Sequence, residues 1–100
     1  DSPVVLFYNH QKVDKYIEDW LADGKRIVRL SNCQVTDSRY PIIELSSKSD
    51  ATEIAHNLFD GLRTADAQKP DFIVCESVPE DDEGLAIMNR LAKAAATSVY

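Results

Sequence analysis

What this 100-residue sequence has little of narrows its chemistry before any element is assigned. Glycine is scarce, three residues in all, and none falls in Tyr8-Asn9-His10-Gln11-Lys12, the turn after the first strand candidate. The GxGxxG loop that brings backbone against a dinucleotide pyrophosphate is therefore missing, and NAD or FAD binding of that kind is not expected. No P-loop pattern occurs, and no serine sits in a GxSxG elbow, so nucleophilic catalysis finds little support in the motifs. Two cysteines make no disulfide framework. Cys75 falls in an apolar run, where a thiol behaves as a small hydrophobe, and Cys33 lies in a polar loop without an activating cationic neighbour, so a reducing, cytoplasmic setting is expected. No apolar run approaches bilayer-spanning length, and no membrane partner is expected. Basic residues are outnumbered 11 to 17, giving a net charge of -6, and the deficit is concentrated in residues 51–100. A surface that tracks phosphates needs the opposite sign, so direct nucleic-acid binding is not expected. The chain opens on Asp1-Ser2-Pro3 without an initiating methionine, and it is expected to be a portion of a longer protein.

What is present reads as one soluble α/β domain. The composition, 44% hydrophobic and 28% charged, suits a globular chain with one core. The informative stretch is Asp71 to Ala96. Phe72, Ile73, Val74 and Cys75 form a short unbroken apolar run, the pattern of a strand covered on both faces, as in parallel sheets. Glu80, Asp81, Asp82, Glu83 and Gly84 follow. Leu85, Met88, Leu91, Ala92 and Ala95 then recur at helical spacing, with Asn89, Arg90 and Lys93 on the other side. The acidic run stands where a helix begins, and its plainest role is to complement the partial positive charge of the free N–H groups there. A divalent-metal site is the alternative, though consecutive acids without a second cluster argue weakly for it.

Upstream, VVLFY at 4–8 predicts a first strand and residues 11–22 a helix with Val13, Tyr16, Ile17, Trp20 and Leu21 on its apolar stripe and Gly24 at its stop. RIVRL at 26–30 predicts a second strand and residues 41–45 a third. With no helix between these two, the direction of the third strand is left open by the sequence, an antiparallel or displaced strand being the alternative to a parallel crossover, which normally takes a dozen or more residues. A helix from about residue 50 to 67 follows, capped by Ser49 or Asp50, with Glu53 answering Asp50 in a capping box. Its apolar face takes in Ala51, Ile54, Ala55, Leu58, Phe59 and Leu62, and Gly61 within it suggests a close helix-to-sheet contact. Residues 98–100 are a candidate fifth strand. The sum is a three-layer, Rossmann-like, mostly parallel sheet of four to five strands with helices on both faces.

The string GLAIMNRLAKAA, preceded by FIVCESVPE and by LFDGLRTAD, resembles the C-terminal, Sua5-type domain of the threonylcarbamoyl-AMP synthase family. The residues that carry the likeness are Leu58, Phe59, Leu62, Arg63 and Asp66, then Ile73 and Glu76, then Gly84, Ala86, Ile87, Asn89, Arg90, Leu91, Ala94 and Ala95. Asp82 stands where that family usually has the first of two glycines. The resemblance implies a larger parent protein. Its upstream YrdC-like catalytic domain would use threonine, bicarbonate and ATP with Mg to make threonylcarbamoyl-adenylate, an intermediate of tRNA threonylcarbamoyladenosine formation. On that reading this chain is an accessory domain that docks on the catalytic domain and positions the interdomain linker.

No catalytic, cofactor-binding or metal-ligating residue is expected within the chain itself. The candidate interdomain or ligand contacts are Asn89 and Arg90, whose donors could grip a carboxylate, a phosphate or a neighbouring backbone, and the strand-end residues Asn9, His10, Glu76 and Ser77. For Arg90 the intradomain alternative is a pair with Glu76 or with an acid of the 80–83 run. His10 lies at the carboxyl end of the first strand, where open α/β sheets bind ligands, and its plainer reading is a polar loop residue. His56, without HExxH spacing, reads as a helix-surface residue. The alternative to the accessory-domain reading is a free-standing flavodoxin-like or Rossmann-like module that binds a small ligand or nucleotide at those strand ends.

Overall fold

Phe72–Glu76 (β4) runs through the middle of the sheet, and the rest of the chain is arranged around it. In the computed structural model, residues 2–32, 39–46, 51–78 and 82–100 are described, without the side chains of 51, 82 and 83. The remaining strands are Val4–Phe7 (β1), Ile27–Ser31 (β2), Ile42–Glu44 (β3) and Thr97–Val99 (β5), and the helices are Val13–Ala22 (α1), Ala51–Ala67 (α2) and Asp82–Ala94 (α3). A single 3-10 turn, His10–Lys12, leads into α1. The strand order is β3-β2-β4-β1-β5, and every pairing is parallel.

The direction of the third strand, which the sequence left open, is decided here. β3 is parallel to β2, with Arg29, Leu30 and Ser31 opposite Ile42, Ile43 and Glu44, and it occupies the sheet edge. Edge placement suits the preceding Pro41, which has no N–H to give to a ladder. Its carbonyl is still used, accepting from Arg29 N at 3.0 Å. The connection between the two strands includes residues 33–38, so the predicted polar loop and Cys33 lie largely outside the described residues, as do the proposed caps Ser49 and Asp50. Glu53 accepts from Ser46 Oγ at 2.8 Å.

Strand side chains alternate between two apolar layers, as a pleated ribbon requires. Leu6, Val28, Leu30, Ile73 and Cys75 face α2 and α3, where Ile54, Leu58, Ile87, Met88 and Leu91 close over them. Val5, Phe7, Ile27 and Val74 face α1 and meet Val13 and Ile17. The α1 stripe is in part aromatic: Phe7 stands edge-on to Tyr16 and Trp20, and Trp20 stacks on Phe72 with ring centroids 4.6 Å apart. Asp23, Gly24 and Lys25 end that helix in a Schellman arrangement. Gly24 N donates to Leu21 O, Lys25 N donates to Trp20 O, and Gly24 has φ of 77°, a conformation that favours glycine.

Two predicted stripes shift. On α3 the buried side is Gly84, Ile87, Met88 and Leu91, while Leu85 is 49% exposed and Ala92 is also exposed. On α2, Phe59 is half exposed at 50%. Periodicity alone cannot separate a sheet-facing apolar residue from one at the seam between two neighbouring helices, and Phe59 is at such a seam.

Gly61 marks the closest approach of α2 to the sheet. A Cβ there would sit 2.8 Å from Leu45 Cδ2 and 3.5 Å from Leu30 Cδ2. Alanine gains about 1 kcal/mol in helix propensity, and the Leu45 methyl is the far end of a rotatable side chain. Gly61→Ala is therefore expected to change stability by less than about 1 kcal/mol, whereas Gly61→Leu overpacks the seam and costs about 2 kcal/mol or more. Urea unfolding of the two variants checks this, and equal effects would show that helix and sheet are not in contact at residue 61.

Candidate functional site

β1 and β4 are neighbours, but their chains leave the carboxyl edge of the sheet in opposite directions, β1 toward α1 on one face and β4 toward α3 on the other. That divergence is a topological switch point, the place where open α/β sheets form a ligand crevice. The residues gathered there are His10, just past β1, Glu76 and Ser77 at the end of β4, and Arg29 and Asn32 from β2 and its exit.

Arg29 is the residue the sequence reading missed. It occupies a central position in a strand whose five residues are all buried, and its side chain is only 9% exposed. Its alternation with Ile27 turns it to the α1 side of the sheet. There Nη1 donates to Tyr40 Oη at 3.2 Å, Nη2 donates to Glu76 Oε1 at 3.4 Å, and Asp14 Oδ1 of α1 lies 3.8 Å away. Burial works against the guanidinium charge, but the Tyr40 hydrogen bond and the Glu76 carboxylate, with Asp14 adding to them, outweigh it and hold the Arg29 pKa above its ordinary value. The signal available in the sequence was a lone cation inside the apolar run of residues 27–30, which a parallel strand tolerates only if a partner comes from elsewhere in the fold.

Glu76 is that partner. Its side chain is 6% exposed, and Oε1 is shared between Arg29 Nη2 and His10 Nδ1, the latter at 3.2 Å. Glu76 Oε2 and Arg29 Nε are both buried without a partner among the described residues. On its other ring nitrogen, His10 Nε2 lies 3.3 Å from Ser77 Oγ. Asn32 Nδ2 donates to the carbonyls of Glu76 and Ser77 at 3.2 and 3.3 Å, which pins the end of β4 against β2. Asn9 does a local job: its side chain accepts from Gln11 N at 3.0 Å and starts the 3-10 turn that carries His10.

Of the six candidate residues, His10, Glu76 and Ser77 are brought into mutual contact, with Asn9 supporting them. Asn89 and Arg90 are elsewhere, both exposed on α3. Arg90 forms no ion pair with Glu76; its guanidinium lies over the Phe59 ring of α2, 5.2 Å from the centroid. With Ala55, Leu58, Ala86 and Ile87 these two residues line a shallow apolar groove of about 190 Å³ between α2 and α3. His56 is exposed on α2. Cys75 is a core residue whose thiol is pushed up to about 12 by burial and by the neighbouring Glu76, which removes it from nucleophilic chemistry. Among the described residues no group of three or more His, Cys, Asp or Glu could hold a metal ion, and no helix is long and apolar enough to cross a membrane. The side chains of the 80–83 acidic run lie outside the described residues.

Residues 1–96 match the family described as "Threonylcarbamoyl-AMP synthase, C-terminal domain". The chain is similar to a threonylcarbamoyl-AMP synthase of Schizosaccharomyces pombe, 38% identical over 106 aligned positions that cover 94% of this chain and 26% of that protein. It is also similar to one of Bacillus subtilis, 34% identical over 88 positions that cover 85% of this chain and 25% of that protein. Its fold superposes on a doubly substituted Sua5 of Pyrococcus abyssi with a TM-score of 0.75 at 31% identity, covering 98% of this chain and 29% of that one. It also superposes on the C-terminal Sua5 domain of a Pyrococcus horikoshii hypothetical Sua5 protein with a TM-score of 0.72 at 24% identity, covering 99% of this chain and 98% of that one. That last likeness bears on the fold alone. The chain spans about a quarter of the length of the curated relatives it matches.

The Arg29–Glu76 pair is expected to be costly to break and cheap to replace. Glu76→Leu strands a buried guanidinium and lowers stability by about 3–5 kcal/mol, and Arg29→Met strands the carboxylate to a similar extent. The double variant loses less than the sum of the two, which a double-mutant cycle in urea reads directly; additive losses would show that the charges do not depend on each other.

Proposed function

The chain belongs to the C-terminal domain family of threonylcarbamoyl-AMP synthases, and from that premise we propose that it is an accessory domain, acting on a catalytic domain that precedes it in the same protein. On this reading the parent protein joins threonine, bicarbonate and ATP, with Mg, into threonylcarbamoyl-AMP for tRNA modification in the cytoplasm. These 100 residues do not make the adenylate; they dock on the catalytic domain and position the linker between the two. The observation that carries the reading is the match over residues 1–96 to a domain described as C-terminal, in relatives about four times as long.

The α2–α3 groove is the docking face that best fits such a partner. Phe59 exposes apolar surface in this groove and is not needed to close the core beneath. Arg90 adds a fixed cation at the groove's rim in a chain whose net charge is -6. A segment of the preceding polypeptide that offers an apolar side chain to the groove and a carboxylate to Arg90 would bury the first and pair the second. The segment before β1 is tied to α2, with Ser2 N donating to Asp66 Oδ1 in the helix's last turns at 2.7 Å.

A second reading, a small-ligand or nucleotide module, draws on the polar cluster at the switch point and differs in what it expects of the chain alone. Calorimetry with ATP, AMP and threonine separates the two: silence supports the docking domain, and saturable micromolar binding supports the module.

This chain, supplied with threonine, bicarbonate and ATP-Mg, is expected to yield no threonylcarbamoyl-AMP by liquid chromatography; turnover by the pure chain would overturn the assignment. In the full-length protein, Arg90→Ala is expected to lower turnover or hydrogen-exchange protection of the linker several-fold while leaving the unfolding midpoint of the 100-residue chain within about 0.5 kcal/mol. Equal loss of stability and turnover would assign Arg90 to packing.

A further inference from the structure

Docking leaves one arrangement of side chains unused. At the switch point, Glu76 Oε1 lies 3.2 Å from His10 Nδ1, and His10 Nε2 lies 3.3 Å from Ser77 Oγ. Carboxylate, imidazole and hydroxyl thus stand in series, within the reach expected of a nucleophile, its base and the group that orients the base before substrate is bound. We propose that Ser77, His10 and Glu76 form a hydrolytic triad that cleaves small, neutral carboxylic esters, with Ser77 as nucleophile, His10 as general base and Glu76 as the positioning residue.

Four features support these roles. Glu76 is an acceptor, so the tautomer that satisfies it carries its proton on Nδ1 and turns the Nε2 lone pair to the Ser77 hydroxyl. Exposure is graded in the needed direction, from 6% for the Glu76 side chain to 54% for that of His10, so the orienting acid is dry and the base is open to a substrate. Arg29 Nη2 holds the same Glu76 oxygen at 3.4 Å, and Asn32 holds the carbonyls of residues 76 and 77, so neither the acid nor the strand end is free to swing away. Ser77 follows the last residue of the central strand and precedes α3 on the carboxyl edge, the place in a strand–turn–helix where α/β hydrolases carry their serine. The N–H of the next residue commonly serves the oxyanion in that setting. Here that group, Val78 N–H, is buried and donates to the Met88 thioether at 3.4 Å in the core under α3, so it is not offered to an oxyanion.

The departures from that setting fix the substrate class and the rate. Ser77 is not in a left-handed, strained elbow; among the described residues other than glycine only Lys69 has a positive φ. Turnover is accordingly slow. The chain's net charge of -6 disfavours anionic substrates, which leaves neutral esters.

In the reaction, Ser77 Oγ adds to the ester carbonyl carbon as its proton passes to His10 Nε2. The tetrahedral intermediate collapses, the bond to the alkoxy oxygen breaks, and the alcohol leaves with the proton from His10. Water then adds to the acyl-serine, giving a proton to His10. Ser77 Oγ departs with that proton as the carboxylic acid is released. No oxidation state changes, and water is the only co-reactant.

A fluorophosphonate probe with peptide mass spectrometry, together with p-nitrophenyl acetate hydrolysis, tests the proposal on this chain. Labelling is expected at Ser77, and Ser77→Ala is expected to abolish it and lower ester turnover by about ten-fold or more. Ser98→Ala, on β5, is expected to keep both. Absence of label at Ser77 in the unsubstituted chain would overturn the triad whatever the variants do. So would a folded Ser77→Ala chain that hydrolyses the ester as fast as the parent, since that is bare imidazole chemistry at His10. Neither result touches the accessory-domain reading, which the adenylate and Arg90 measurements decide.

Discussion

A guanidinium and a carboxylate taken out of water inside a sheet covered on both faces set the terms for the rest of this structure. Arg29 and Glu76 are 9% and 6% exposed at the side chain, on adjacent strands β2 and β4. Neither charge could be buried there alone, because desolvation costs several kcal/mol per ion even after relaxation. The pair is therefore a constraint on register as much as a source of stability. With Val28 opposite Ile73 and Arg29 opposite Val74, both charges fall on the α1 side near the carboxyl edge, and a one-residue slip would send Arg29 to the opposite face. Tyr40, Asp14, His10 and Asn32 are recruited around this pair, and with them the segments that lead out of β1, β2 and β4.

The two sides of the sheet answer to different demands. On the α1 side, the charged pair and the aromatic group of Phe7, Tyr16, Trp20 and Phe72 share one layer, so polar and apolar packing are fixed together. On the other side, α2 and α3 seal an aliphatic layer and leave Phe59 and Leu85 on its outer surface. Monomeric proteins leave single apolar residues exposed as a matter of course, but a groove lined by Phe59, with a cation stacked on its ring, is the composition of a contact surface. The accessory-domain reading uses that face, while the hydrolytic triad uses the carboxyl edge. The two share no residue: Ala55, Phe59, Ala86 and Arg90 line the groove, and His10, Glu76 and Ser77 make up the triad.

Much of the architecture was legible from local pattern. The unbroken apolar run at 72–75 announced a strand covered on both faces, Gly24 announced the end of α1, and Gly61 announced the close approach of α2 to the sheet; each is a statement about a residue and its immediate neighbours. The family likeness rested on blocks of the same local kind. The direction of β3 stayed open because a short connection argues for an antiparallel return, whereas the β2 edge was free to accept a parallel partner, and nothing local records which edge is free. Phe59 and Leu85 were placed inside for a similar reason: a helical wheel gives the angle of a residue, not what stands opposite it.

The candidate site divides along the same line. Amino-acid order alone determined that His10, Glu76 and Ser77 stand at strand ends, because a strand's limits follow from its own hydrophobic run and the turn residues after it. It also determined the net charge and the absence of phosphate loops. Only the folded chain decided that Arg29 meets Glu76 across a separation of 47 positions, that His10 reaches the same carboxylate across 66, and that Arg90 goes to an aromatic ring instead. A buried ion chooses its partner by distance in a medium of low polarity, and that distance is set by strand order and crossover direction, which are properties of the whole sheet and of no single segment of it.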